Sequence, residues 1–105
     1  MNNPEFLEVH VTFANGEEAR TICRQLLSAK LIGCAQILPN IGSMYWWDGK
    51  IGTSEEVLVL LKARAVHYAA IEELILAHHS YDTPEIIAIA IEQGYQGYLD
   101  WLKGV

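Results

Sequence analysis

The four histidines of this chain are the residues best suited to bind a metal ion: His10, His67, His78 and His79. Imidazole nitrogen is a good ligand for copper, nickel and zinc. His67 and His78 are too far apart to share an ion, since their spacing corresponds to about 16 Å along a helix at ~1.5 Å per residue. His78 and His79 are adjacent at the predicted end of a helix, where both rings could turn toward one ion. We therefore predict them as metal ligands; the alternative is that they only interact with the helix dipole.

A second set of polar side chains lies where predicted apolar strands and helices begin or end. Its members are Lys62, His79, Tyr81 and Glu85. Polar groups at such positions would collect in a cleft between subunits, where they could bind a small ligand. They could equally form a hydrogen-bonded network that closes a subunit interface. The sequence leaves both possibilities open.

Motifs of covalent or acid–base catalysis are missing from the sequence. It contains no GxSxG segment, no phosphate-binding loop and no cysteine with a partner histidine at a known spacing. Cys23 and Cys34 have no CxxC spacing, and we expect two buried thiols in a reducing compartment. We predict that the chain is not an enzyme.

Charge and composition limit the partners of this chain. The net charge is −6, from 7 Lys and Arg against 13 Asp and Glu, and no basic cluster could neutralise a run of phosphates. Nucleic acid and anionic membranes are therefore poor partners. The segment from Met1 to Glu8 lacks the basic and apolar stretches of a signal peptide, and no apolar run approaches ~18 residues. These features predict a soluble, cytoplasmic protein.

The hydrophobic periodicity predicts one α+β domain over residues 1–105, with the ferredoxin-like order βαββαβ and an additional C-terminal helix. Phe6 to Phe13 alternates with the period of a strand. Asn15 followed by Glu18 has the pattern of a helix N-cap, and we expect this helix to end at Gly33. The last helix follows Gly94, and four of its apolar or aromatic residues indicate it. These are Tyr95, Tyr98, Leu99 and Leu102.

A long hairpin is predicted between the first and second helices. Two extended segments, Cys34 to Trp47 and the strand that follows, meet at Asp48-Gly49, a pair that favours a type I′ turn. Pro39 predicts a bulge or an edge position. At ~3.3 Å per residue the first segment would reach roughly 45 Å and overhang the sheet. We expect its aromatic tip to contact a neighbouring subunit, although the tip could fold back on its own sheet. The tip residues are Met44, Tyr45, Trp46 and Trp47.

Two later strands are apolar on both faces: Val57 to Lys62 and Ile86 to Ile91. The helix between them is expected to end at His78-His79-Ser80. Its apolar face is assigned to Val66, Ala69, Ala70, Leu74 and Ile75. Two core helices can cover only one face of the sheet, so the second apolar face must be buried by other copies of the chain. We therefore expect an oligomer.

Three segments resemble the CutA family of divalent-cation tolerance proteins, and the resemblance extends over essentially the whole chain. They are residues 31–41, the hairpin segment 43–51 with Tyr45-Trp46-Trp47-Asp48-Gly49-Lys50, and the segment 78–87 with His79-Ser80-Tyr81-Asp82-Thr83-Pro84-Glu85. The resemblance implies a homotrimer similar in architecture to the PII signalling proteins. It also implies a role in tolerance of divalent metal ions, with Cu(II) as the candidate ion.

Two positions depart from the family pattern. Ser80 stands where the family usually has proline, and Val11 stands where some members have a cysteine that could ligate copper. The predicted function is therefore a trimeric metal-tolerance protein that could bind copper directly, without that thiolate. The alternatives are a PII-like signalling trimer that binds a small anionic ligand or a partner protein between subunits, and a purely structural scaffold trimer.

Overall fold

The order of strands and helices matches the ferredoxin-like α+β expectation. The computed structural model describes residues 3–105; Met1 and Asn2, the first residues of the predicted domain, lie outside this part. The elements are β1 (Phe6–Phe13), α1 (Gly16–Ser28), β2 (Cys34–Trp47), β3 (Lys50–Arg64), a 3-10 turn (Ala65–His67), α2 (Tyr68–His78), β4 (Ile86–Ala90) and α3 (Gln96–Lys103). The sheet order is β2-β3-β1-β4, and every neighbouring pair is antiparallel.

The main core lies between one face of the sheet and the two helices α1 and α2. The alternation of β1 directs Leu7, Val9, Val11 and Phe13 into this core. The helices contribute Ala19, Ile22, Cys23, Leu26, Ile71 and Ile75. As predicted, the N-cap Asn15 accepts a hydrogen bond from the backbone N–H of Glu18 at 2.9 Å.

The prediction that α1 ends at Gly33 is wrong. The helix ends at Ser28, because Lys30 adopts the left-handed conformation with φ 58°. The N–H of Lys30 donates to Leu27 O and the N–H of Leu31 donates to Leu26 O, which is the Schellman pattern of helix ends. A lysine in the place usually taken by glycine hides this end from sequence analysis.

The predicted buried face of α2 is confirmed at Leu74 and Ile75 but is wrong at Val66, Ala69 and Ala70. Ile71 and Ile75 are fully buried, whereas Val66 is 71% exposed and Ala69 and Ala70 are exposed. Val66 lies in the 3-10 turn that precedes α2, so the helical period counted from Val66 has the wrong phase. The buried face of the helix begins at Ile71, which the prediction omitted, and continues to Ile75 as predicted.

The second face of the sheet, here called the open face, carries three cross-strand rows of side chains. The first row is Cys34, Lys62, Glu8 and Ile89; the second is Gln36, Leu60, His10 and Ile87; the third is Leu38, Leu58 and Thr12. Ile87 and Ile89 are about half exposed, at 51% and 50%. The expected apolar character is therefore present at Leu58, Leu60, Ile87 and Ile89, whereas Glu8, His10, Gln36 and Lys62 make the rest of this face polar.

One end of the open face is covered by α3. Phe6 and Leu102 are buried, although neither belongs to the main core between the sheet and the first two helices. Helix α3 contacts β3, and burial, together with the neighbouring Cys34 thiol on this face, raises the pKa of Tyr98. The part of the face around Leu38, Ile87 and Ile89 stays exposed.

The hairpin of β2 and β3 extends beyond the rest of the sheet. Strand β1 pairs with Val57 to Arg64, whereas Lys50 to Glu56 pair only with β2. This overhang is about 23 Å long at ~3.3 Å per residue. Asp48 and Gly49 both have positive φ, 52° and 75°, as a type I′ turn requires. The predicted bulge lies between Leu38 and Ile41, where Asn40 has φ 60°.

Candidate functional site

His79 is held by protein contacts at both ring nitrogens. Its Nε2 lies 2.8 Å from the carbonyl oxygen of Thr12, and its Nδ1 accepts a hydrogen bond from the backbone N–H of Tyr81 at 3.0 Å. Because Nδ1 accepts, Nε2 must carry the proton that is donated to Thr12. The ring also stacks on Phe13, with 4.8 Å between centroids. A metal ion could bind His79 only if one of these hydrogen bonds broke.

His78, in contrast, is exposed at the end of α2 and borders a shallow depression next to the start of α1. Within this depression, Glu18 accepts hydrogen bonds from the backbone N–H and the hydroxyl of Ser80, at 2.7 and 3.0 Å. The side chain of His79 binds at Thr12 and Tyr81, so the two histidines have separate surroundings and do not fit a shared ion within one subunit. Among residues 3–105, no three His, Cys, Asp or Glu side chains gather into a metal-binding group.

Tyr81 pairs with a carboxylate in the middle of β3. Its hydroxyl donates to Glu56 Oε2 at 2.8 Å, and Glu56 is only 9% exposed. Burial, together with the Glu56 carboxylate, raises the pKa of Tyr81 well above its usual range. The phenol therefore stays protonated and acts as a hydrogen-bond donor to Glu56.

The residues predicted for an intersubunit cleft are not brought together within one subunit. Lys62 lies six positions after Glu56 on β3, so their backbones are about 20 Å apart at ~3.3 Å per residue. Glu85 is exposed just before β4. Tyr81 and Lys62 each have a partner within the subunit, at Glu56 and at Gln36. A cleft that contains all three residues would require more than one chain.

A row of polar side chains that sequence analysis did not identify crosses the open face. His10 Nε2 lies 2.7 Å from Glu8 Oε2, Lys62 Nζ lies 3.3 Å from Glu8 Oε1, and Lys62 Nζ donates to Gln36 Oε1 at 2.6 Å. The hydrogen bond from His10 contributes most to lowering the pKa of Glu8, and Lys62 adds to it. Only the strand register could have revealed this row, since its members come from three strands.

The aromatic tip of the hairpin is exposed on the subunit. Trp46 and Trp47 are 75% and 65% exposed. Tyr45 is less exposed, because its ring packs over Gly52 and its hydroxyl donates to Ser54 Oγ at 3.2 Å. In one subunit, the tip therefore does not fold back onto its own sheet.

The two cysteines differ in their surroundings. Both are free thiols; Cys23 is buried in the core, as predicted, and Cys34 is only half-buried. Burial raises the pKa of Cys23 to about 11. Cys23 therefore remains a protonated thiol at neutral pH.

Known proteins are similar to this chain in sequence and in fold over most of its length. The chain is 42% identical over 95 residues to a rice protein described as chloroplastic CutA 1, and 40% identical over 94 residues to the divalent-cation tolerance protein CutA of Archaeoglobus fulgidus. The matched region covers 90% of this chain in both comparisons, but 54% of the rice protein and 91% of the archaeal one. The crystal structure of CutA1 from Oryza sativa superposes with a TM-score of 0.93, at 40% identity and with coverage of 96% of this chain and 93% of that one.

The predicted cytoplasmic location is wrong according to these comparisons. The rice and Arabidopsis thaliana relatives are described as chloroplastic. The structure from Archaeoglobus fulgidus, with a TM-score of 0.92, is described as a periplasmic divalent cation tolerance protein. Members that share this fold thus occupy different compartments, so the composition of the domain does not indicate its location. Residues 3–105 contain no helix that is long and apolar enough to cross a bilayer.

The family assignment covers nearly the whole domain. The family model described as CutA1 divalent ion tolerance protein matches residues 7–105, from the second residue of β1 to the end of the chain. The matched range includes the open face, the hairpin tip and the segment with His78, His79 and Tyr81. The chain belongs to the CutA1 divalent ion tolerance protein family.

Proposed function

We propose that this chain acts in tolerance of divalent metal ions as a homotrimer, in which the open face and the hairpin tip form the subunit contacts. One observation is the main support for the trimer: the hairpin overhang holds Trp46 and Trp47 away from any core of their own subunit. Large aromatic side chains are typical anchors of subunit interfaces. The half-exposed Ile87 and Ile89 on the open face support the same arrangement.

Light scattering coupled to size-exclusion chromatography tests the assembly directly. We expect a mass three times that of the 11.8 kDa subunit, unchanged on dilution to micromolar concentration. A single-subunit mass would contradict the proposal. A dimer would leave the fold intact but contradict the trimeric arrangement.

We propose Cu(II) as the ion to test first, bound weakly with His78 as its protein ligand. Imidazole suits copper, and solvent would complete the coordination. His78 is the ring that remains free, since both nitrogens of His79 have protein partners. Val11 supplies no thiolate, so we expect the affinity to be modest.

Calorimetric copper titration of the His78→Ala and His79→Ala variants separates the two histidines. We expect His78→Ala to lose most copper binding at an unchanged melting temperature. We expect His79→Ala to lower the melting temperature and to retain copper binding, because it removes the bonds to Thr12 and Tyr81. Equal copper binding by the parent and the His78→Ala variant would show that the copper site is not at His78. No binding by the parent at micromolar copper would contradict direct binding.

The alternative function is a signalling or scaffold trimer that binds a small anionic ligand or a partner protein between subunits. The hydrogen bonds of Lys62 to Gln36 and of Tyr81 to Glu56 support a network that closes an interface rather than an open ligand pocket. A thermal-shift screen of anionic metabolites tests this alternative, because a ligand at 100 times its Kd adds about 2.7 kcal/mol to stability. A ligand that shifts the parent but not the Lys62→Gln variant would favour the ligand-binding trimer.

A further inference from the structure

The polar row on the open face has apolar neighbours on both adjacent strands. His10 lies directly opposite Leu60 on β3 and Ile87 on β4. Its side chain is already only 24% exposed, and that of Glu8 is 29% exposed. A second copy of the chain that covers Leu60 and Ile87 would also cover His10. The protonation state of the His10 ring would therefore affect the free energy of assembly.

The charges of the row balance only when His10 is neutral. The Glu8 carboxylate and the Lys62 ammonium cancel, and the neutral ring can donate its Nε2 proton to Glu8. A protonated ring adds a second positive charge beside the Glu8–Lys62 pair. It also adds an Nδ1 proton, and within residues 3–105 only Nε2 of this ring has a hydrogen-bond partner. A surplus charge and an unpaired donor are both costly to bury.

Among residues 3–105, no carboxylate other than Glu8 forms an ion pair with His10 or Lys62. Strand β4 faces His10 with Ile87 and Ile89, which carry no charge. On β3, Glu56 and Arg64 each lie four positions from Leu60, about 13 Å away at ~3.3 Å per residue. The remaining polar or titratable groups toward β2 and α3 are Gln36, Cys34 and Tyr98. Glu8 thus serves as the one carboxylate for both His10 and Lys62.

We propose that His10 makes subunit assembly pH-sensitive, and that protonation of its ring weakens the trimer. The inference rests on the proposed trimer, with the open face as its interface. Burial in the assembly disfavours the charged ring, so the assembled state binds fewer protons than the separate subunits. Assembly is then strongest where the ring is neutral and weakens as the pH falls. With one proton per subunit, the assembly constant would change by up to about 1000-fold per pH unit.

Subunit exchange between isotopically labelled and unlabelled protein, followed by native mass spectrometry, measures this effect. The protein is compared at pH 8 and pH 5.5 with two variants. His10→Gln retains an N–H donor for Glu8 but cannot take up a proton in this range. His67→Gln removes a histidine from the 3-10 turn before α2, on the helical side of the subunit, and serves as the matched control.

We expect the parent and His67→Gln to exchange at least tenfold faster at pH 5.5 than at pH 8, and His10→Gln to exchange at similar rates at both. A pH response of His10→Gln equal to that of the parent would overturn the inference, as would a parent with no response. If His10→Gln does not fold, His10→Leu provides the same comparison, because leucine also cannot be protonated. A parent that is a single subunit at pH 8 overturns the proposed function as well, so the two failures are distinguishable.

Discussion

Replacement of Trp46 with alanine is the most direct test of the hairpin as a subunit contact. Trp46 lies opposite Ile51 in the overhang, and these side chains are 75% and 62% exposed on the subunit. A side chain that contacts so little of its own subunit contributes little to the stability of that subunit. Its loss should therefore affect assembly and leave the fold unchanged.

The expected magnitude follows from the exposed area. A tryptophan offers up to about 250 Å² of surface. If the neighbouring subunit covers the 75% of Trp46 that is now exposed, burial contributes about 4–5 kcal/mol per subunit at roughly 25 cal/mol per Å². Truncation to alanine should then cost about 3–5 kcal/mol per subunit. Each contact would weaken by about 100-fold or more, since ~1.4 kcal/mol is a factor of ten.

The appropriate measurement uses light scattering to find the urea concentration at which the proposed trimer dissociates. Leu76→Ala is the matched control, because Leu76 is also half exposed, at 53%, but lies on α2 away from the hairpin. We expect Trp46→Ala to dissociate at a much lower urea concentration than the parent and Leu76→Ala to stay close to it. Equal midpoints for Trp46→Ala and Leu76→Ala would refute the reasoning that the tip is covered in the assembly.

Three further predictions concern the subunit itself. Gly33→Ala should destabilise the fold by about 1–3 kcal/mol in urea unfolding, because its Cβ would lie 2.5 Å from Leu102 Cδ1; Gly42→Ala, with open space around its Cβ, is the control and should not share this loss. Gly49→Ala should cost about 1–2 kcal/mol in the same assay, because φ is 75° in the turn; no loss would contradict the turn geometry. Cys23 should resist alkylation at pH 8 until the protein unfolds. Because folding raises the pKa of Cys23 from 9.0 to about 11, its contribution to the stability of the fold is complete below pH 9 and is lost as the pH rises toward 11. A Cys23→Ala variant with the same alkaline loss of stability would contradict this assignment.

The sequence predicts the parts of this fold that depend on local patterns. The alternation of β1, the N-cap Asn15 and the Asp48-Gly49 turn are signals within a few residues of one another, and all are present in the structure. The end of α1 was missed because Lys30 adopts a backbone conformation that favours glycine. The phase of α2 was missed because a 3-10 turn precedes the helix.

The candidate site depends on distant pairings that no local pattern encodes. His79 and Thr12 are 67 positions apart in the chain, and their contact engages a nitrogen that a metal ion would need. The row from His10 to Gln36 requires the register of three strands to be known. The sequence therefore shows which residues have suitable chemistry, but it does not show which of them already have partners within the subunit.

The overhang also has a consequence for the newly synthesised protein. Lys50 to Glu56 hydrogen-bond to β2 on one side only, so the other side of this stretch is a strand edge with free backbone donors and acceptors. Such edges can pair with other chains and start aggregation, and an unassembled subunit adds exposed tryptophans beside this edge. The charges of Lys50 and Glu55 at the edge oppose such pairing. If the proposed trimer covers this edge, assembly competes with edge pairing during synthesis of the chain, and slow or dilute synthesis would lengthen the time for which the edge is exposed.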